Sequence, residues 1–324
     1  MGRGPRKRKA AADAAAAGAP GPAAEEEDAD PVSEEAMPGK RRKVLKKRKA
    51  QDEAEEGPLD AAEAGKRLAQ WTDDSKKQER WLASRGGGLE GYLAETPGQM
   101  VPLRDFLPLE MADCVLAILE SLPEETWELS EQAGDEAAAN HRFWSADVCD
   151  VPDLAPLRGL FWSLLPKLRG EPTLPIISCG RYGKSDFIGR HDDRAHVPFN
   201  GAENIFSRTV AAIWYLTRDW AASEGGCLLD LKESDNGMPE VRHVPKYNSL
   251  MVFEVPHWHA VTGVTSERYR YSIFGWWHQQ GKRYELPGAP ISASAATKGP
   301  GAKKKRKVVR KVRKAGAAQE EDAE

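Results

Sequence analysis

The sequence predicts an α+β fold: a double-stranded β-helix, or jelly roll, braced by N-terminal helices and flanked by disordered basic and acidic tails. Three observations carry this. Helical periodicity ends before residue 169, short β-branched and aromatic runs fill 176–277, and both ends have the composition of chain without a core.

The formal charge of −3 over 324 residues averages unlike parts. Residues 1–57 are Ala, Pro, Gly and charge, too poor in large apolar residues to offset chain entropy, and are expected to be a disordered tail. Residues 58–100 read as a helical linker, 101–288 as the folded domain and 289–324 as a second, basic tail. Every Trp lies between the tails, in a stretch of about 230 residues that suits one domain.

Composition also excludes classes. Cys114, Cys149, Cys179 and Cys227 have no paired spacing, so they read as buried reduced thiols rather than a zinc or disulfide framework. No apolar run reaches the roughly 18 residues of a membrane helix, and no membrane partner is expected. Ala10 to Ala24 is broken by Asp13, Gly18, Pro20 and Pro22, unlike a signal peptide, and Arg6 stands where a myristoylation signal needs Ser or Thr.

Basic runs mark both ends: Arg6 to Lys9, Lys40 to Lys43, Lys46 to Lys49, and Lys303 to Lys314. Lys303-Lys-Lys-Arg-Lys-Val308 resembles a short nuclear import signal, an extended lysine run that an import receptor reads without folding. The expected location is the nucleus, with the nucleolus included, and otherwise the cytoplasm. Lys-rich tails also neutralise phosphates, which makes nucleic acid the alternative partner; the acidic run Glu25 to Asp28 argues against a dedicated DNA-binding arm.

Between the tails, helices are expected over Ala61 to Leu82, Leu109 to Leu122 and Pro152 to Leu168. Strands are expected over Ile176 to Tyr182, Arg208 to Leu216, Cys227 to Leu231, Glu240 to Val244, Ser249 to Val255, His259 to Val264 and Tyr269 to Trp277. Gly225-Gly226, Asn236-Gly237 and Pro245 punctuate them.

Chemistry enters at Gly189-Arg190-His191-Asp192-Asp193 and, further on, Val255-Pro256-His257-Trp258-His259. Two imidazoles and one carboxylate make a facial triad for Fe(II), which leaves coordination positions open for a chelating co-substrate and dioxygen. On an extended strand residues i and i+2 share a face, so His191 and Asp193 can meet one metal with His259, while Asp192 turns away. Arg270 follows eleven residues after His259, and its planar fork suits the far carboxylate of 2-oxoglutarate. His257 and Arg268 have the same separation; His259 and Arg270 are preferred because Ala260-Val261 continues a strand and Arg270 opens an alternating run. His257, His196, His243 and His278 are then expected on the surface or behind the ligands.

These motifs resemble the prolyl hydroxylase branch of the Fe(II)- and 2-oxoglutarate-dependent dioxygenases, nearest to the ribosomal-protein prolyl 3-hydroxylases and more distantly the hypoxia-sensing prolyl hydroxylases. The resemblance spans 106–278 and is densest in Tyr182 to Asp193, Ile213 to Trp220, Gly225 to Leu231, Asn248 to Glu254 and Arg270 to Trp276. It implies that Tyr182 and Tyr215 hydrogen-bond 2-oxoglutarate, that Arg270 clamps it, that ascorbate is the reductant, and that the substrate is a prolyl residue of a ribosomal or nuclear protein. Oxidative decarboxylation to succinate and carbon dioxide would be coupled to that hydroxylation. The ribosomal-protein branch carries a second, degenerate barrel, for which the residues beyond 288 are too few, so the substrate contacts of such a barrel are expected to be missing. Two other readings compete. A nucleic-acid demethylase of the same cofactor class predicts base-stacking aromatics among Trp214, Trp220, Trp258 and Trp277; a non-catalytic β-barrel binding module has no need of the ligand set.

Overall fold

The computed structural model describes residues 59–134, 140–201, 203–231 and 241–286. The expected tails lie outside the described residues. Helices α1 (Ala61–Asp73), α2 (Ser75–Ser84) and α3 (Leu89–Glu95) come first. The single helix expected over Ala61 to Leu82 is broken because Asp74 is extended and its carboxylate accepts from the Lys77 backbone N–H, starting a new helix. Helix α4 (Leu109–Ser121) matches its expected span, whereas α5 covers only Leu157–Leu164 of the stretch Pro152 to Leu168. Turns over 151–156 bury Val151 and Leu154, so apolar spacing that reads as helix is met without one. Pro156 stands directly before α5, where its missing N–H costs nothing.

The strands are β1 (Val101–Leu103), β2 (Glu128–Gln132), β3 (His141–Asp147), the short pair β4 (Lys167–Leu168) and β5 (Glu171–Pro172), β6 (Leu174–Tyr182), β7 (Phe187–His191), β8 (His196–Pro198), β9 (Ile205–Tyr215), β10 (Leu228–Asp230), β11 (Val241–His243), β12 (Ser249–Glu254), β13 (His259–Val261) and β14 (Arg270–Gln280). Each of the seven runs read as strands overlaps one, and β6, β9 and β14 extend beyond the expected bounds. The main ladder runs β1-β12-β9-β14-β6-β3-β7-β13-β10-β11, with β2 beside β3 and β8 beside β9, all antiparallel. Strand β3 carries the ladder across: Trp144–Asp147 pair with β6, while His141 and Arg142 pair with β7. This is the helix-braced antiparallel jelly roll.

Strand alternation divides the apolar residues between two clusters. On β9, Val210, Ala212 and Trp214 face the helices, whereas Ala211 and Tyr215 join Tyr182, Leu228, Met251, Phe253 and Val261 in the interior. The helical side is locked by edge-to-face contacts from Trp71 to Trp81, Phe106 and Trp214, with centroids 5.2–5.8 Å apart. Buried Asn248 joins that side to the sheet: its Nδ2 donates to Leu107 O (2.7 Å), and its Oδ1 accepts from Leu107 N (3.1 Å) and Trp214 Nε1 (3.2 Å). Residues 61–93 contribute Leu68, Trp71, Trp81, Leu89 and Leu93 to the same core, so the stretch read as a linker is packed against the sheet.

Candidate active site

His191 closes β7 and His259 opens β13, and the two residues are direct cross-strand partners. Their rings lie 4.0 Å apart. Asp193 completes the group: one donor atom from each of the three residues falls within 4.8 Å of the others. The expected i, i+2 strand alternation does not place Asp193. Strand β7 ends at His191 and Asp193 has φ 63°, so a left-handed turn, which Asp tolerates, brings the carboxylate back rather than strand alternation. Asp192 turns away and pairs with Arg194 at 2.6 Å.

Both imidazoles are held in one tautomer. His191 Nδ1 faces Gly189 O at 2.8 Å and His259 Nδ1 faces His257 O at 2.7 Å; a carbonyl only accepts, so each Nδ1 carries the proton. Each Nε2 points toward Asp193, at 3.3 Å from Oδ1 for His191 and 3.5 Å from Oδ2 for His259. Burial opposes charge on Asp193, but His259, His191 and Arg208 hold it well below the usual carboxylate range. Burial pushes His259 down to about 4 against the pull of Asp193; for His191 burial is outweighed by Asp193, and its value rises. An anionic carboxylate beside a neutral imidazole is the state that binds a cation. Two nitrogens and one oxygen fit Fe(II).

Deeper in the interior, Arg270 is 2% exposed and its guanidinium lies 3.9 Å over the Tyr182 ring and 5.5 Å from that of Tyr215. Its Nη1 donates to Gly226 O at 2.5 Å. The Gly225-Gly226 turn is required here: both have positive φ, and a Cβ on Gly225 would stand 2.0 Å from Gly263 O. Arg270 Nε, Tyr215 Oη and Ser272 Oγ are buried without a partner. Buried polar atoms are ordinarily satisfied, so this trio fits the far carboxylate of a dicarboxylate ligand. Burial pushes the Tyr182 phenol up to about 12, with Arg270 pulling it back, and raises Tyr215 further; both are neutral donors at neutral pH. Arg270 also fits better than Arg268, which is exposed and paired with Glu224 at 2.9 Å.

His257 is buried and bonded to Asp230 at 2.9 Å, outside the three-residue group, and His278 is buried against Leu174 O, not at the surface. Cys149 is exposed, contrary to expectation, while Cys114, Cys179 and Cys227 are free and buried. Of the four tryptophans a nucleic-acid demethylase would use for base stacking, Trp214, Trp220 and Trp277 are core residues, and half-buried Trp258 stacks with Arg190. No described helix is long and apolar enough to cross a membrane. The sequence reading missed Phe253, whose ring packs 4.8 Å from His259, and Ser272 and Trp276, which share Arg270's face of β14 at steps of two.

Comparison with known proteins finds likenesses over this same region. Residues 177–278 match the family model of the 2OG-Fe(II) oxygenase superfamily. That match covers under a third of the chain, and all of the candidate site residues lie within it. The prolyl 3-hydroxylase OGFOD1 of Xenopus laevis is 38% identical over 108 residues, 32% of this chain. That match spans only 19% of the relative's own length. Among solved structures, a Pseudomonas putida prolyl-4-hydroxylase aligns at 22% identity and TM-score 0.44, covering 60% of this chain and 98% of the other. A Trichoplax adhaerens prolyl hydroxylase, solved with a hypoxia inducible factor peptide, aligns at 17% identity and TM-score 0.44, covering 63% and 91%.

Proposed function

We propose that this chain is an Fe(II)- and 2-oxoglutarate-dependent protein prolyl hydroxylase. The reading is carried by one arrangement. The His191, Asp193 and His259 group packs through Phe253 onto the same interior cluster whose Tyr182 and Tyr215 rings face Arg270, with Arg270 Nε, Tyr215 Oη and Ser272 Oγ unpartnered. His191 and His259 would hold the iron through Nε2 and Asp193 through one carboxylate oxygen. Once bound, the iron with 2-oxoglutarate supplies the activation of dioxygen that side chains alone cannot. Arg270 orients the co-substrate by pairing with its far carboxylate, and Tyr215 and Ser272 donate to the same group. Tyr182 supports the guanidinium from below, and Phe253 and Val261 keep water from the reacting centre. A prolyl substrate is supported by the name of the 38%-identical relative, and ascorbate is proposed as reductant.

The basic runs at both ends support residence in the nucleus through an import receptor. Activity is tested by incubating the full chain with Fe(II), 2-oxoglutarate, ascorbate and proline-containing peptides of ribosomal and nuclear proteins. Succinate release should accompany gain of one oxygen on a proline, and Asp193→Ala should give neither. Succinate release with oxygen appearing only on a nucleic-acid methyl group would reverse the choice of substrate.

A further inference from the structure

Because Asp193 sits in a left-handed turn beyond the end of β7, the strand does not aim its carboxylate. Another group must. Trp276, on the interior face of β14, donates its indole N–H to Asp193 Oδ2 at 2.9 Å. Arg208 of β9 lies over that indole, its guanidinium carbon 3.5 Å from the ring centroid, and brings Nη1 to 3.7 Å from Asp193 Oδ1. Phe274 meets the indole edge to face at 5.9 Å. The indole is therefore fixed on more than one side before it touches the carboxylate.

We infer that Trp276 is a positioning residue that makes Asp193 a one-oxygen ligand, an inference that rests on the iron-site reading above. A free carboxylate can chelate a metal through both oxygens, which would consume a coordination position that the co-substrate or dioxygen needs. An indole is a donor only and carries no charge, so it occupies Oδ2 at every pH without neutralising the ligand. Oδ1, 3.3 Å from His191 Nε2, would then be the oxygen that holds the iron, while Oδ2, 3.5 Å from His259 Nε2, is kept by the indole. Arg208, stacked by cation-π attraction, holds the indole in place from the other side.

The test measures binding, not turnover. Fe(II) affinity is determined anaerobically for the wild-type chain, for Trp276→Phe, and for a chain with benzothienylalanine at position 276, which keeps the fused rings and replaces N–H by sulfur. Loss of a group that orients a metal ligand typically weakens the metal by about 10- to 100-fold, and both variants should show that loss. Co(II), used as a spectroscopic substitute, should show a change in ligand-field absorption in both, and unfolding without metal should match wild type for the benzothienyl chain. Wild-type affinity in the benzothienyl chain would overturn the inference and leave the iron site intact. Absence of any Fe(II) binding in the wild type would overturn both.

Discussion

Arg270 shows at residue scale why burial, rather than charge alone, decides a binding role. Arg268 and Arg270 stand two apart, but Arg268 spends its donors on Glu224 and on backbone carbonyls of residues 218 and 219, whereas Arg270 keeps Nε free in a dry interior. Removing one partner of a charge-assisted pair in such a place costs about 2–4 kcal/mol. Each ~1.4 kcal/mol is a factor of ten, so Arg270→Ala should raise the KM for 2-oxoglutarate by roughly one to three orders of magnitude. Arg270→Lys should recover only part, because an ammonium has no fork. Titrating succinate release against 2-oxoglutarate for Arg268→Ala and Arg270→Ala checks this, and a silent Arg270→Ala would end the assignment. The grouping of His191, Asp193 and His259 and the burial of Arg270 were legible in the sequence because metal and carboxylate chemistry restricts residue type and spacing. The contacts of Trp276 and Arg208 were not, since they depend on which strands become neighbours.

Element by element, β6, β9, β12 and β14 were legible because their β-branched and aromatic runs are buried on both faces. Strand β3, His-Arg-Phe-Trp-Ser-Ala-Asp, was not: it is half-buried and polar, yet it bridges β6 and β7. Strand β7 was hidden for a similar reason, since Phe-Ile-Gly-Arg-His ends on a site residue and lacks a regular alternation. The pairing of β14 with β6 depends on Gly275, opposite Ile177; a Cβ there would lie 2.1 Å from Ile176 O and 2.7 Å from Ile177 Cα. Backbone cannot yield as a flexible side chain does, so Gly275→Ala should destabilise by about 3 kcal/mol. Denaturant unfolding reads this as a lowered midpoint, and an unchanged midpoint would mean that the two strands separate freely. Because β14 also carries Arg270 and Trp276, loosening it should reach the site.

For the whole molecule, the helices and the outer face of the sheet share one core, and the inner face carries the proposed iron and 2-oxoglutarate sites. The basic runs lie outside that division of labour, and deleting Lys40 to Lys49 together with Lys303 to Lys314 should move a fluorescent fusion from nucleus to cytoplasm; retention in the nucleus would remove them as import signals. The central claim concerns the three residues His191, Asp193 and His259. Metal analysis of anaerobically purified chains reconstituted with Fe(II) tests it most directly. One iron per chain is predicted for the wild type and for Asp192→Ala, whose side chain serves Arg194, with almost none for Asp193→Ala. Equal iron content in the Asp192→Ala and Asp193→Ala chains would contradict the account.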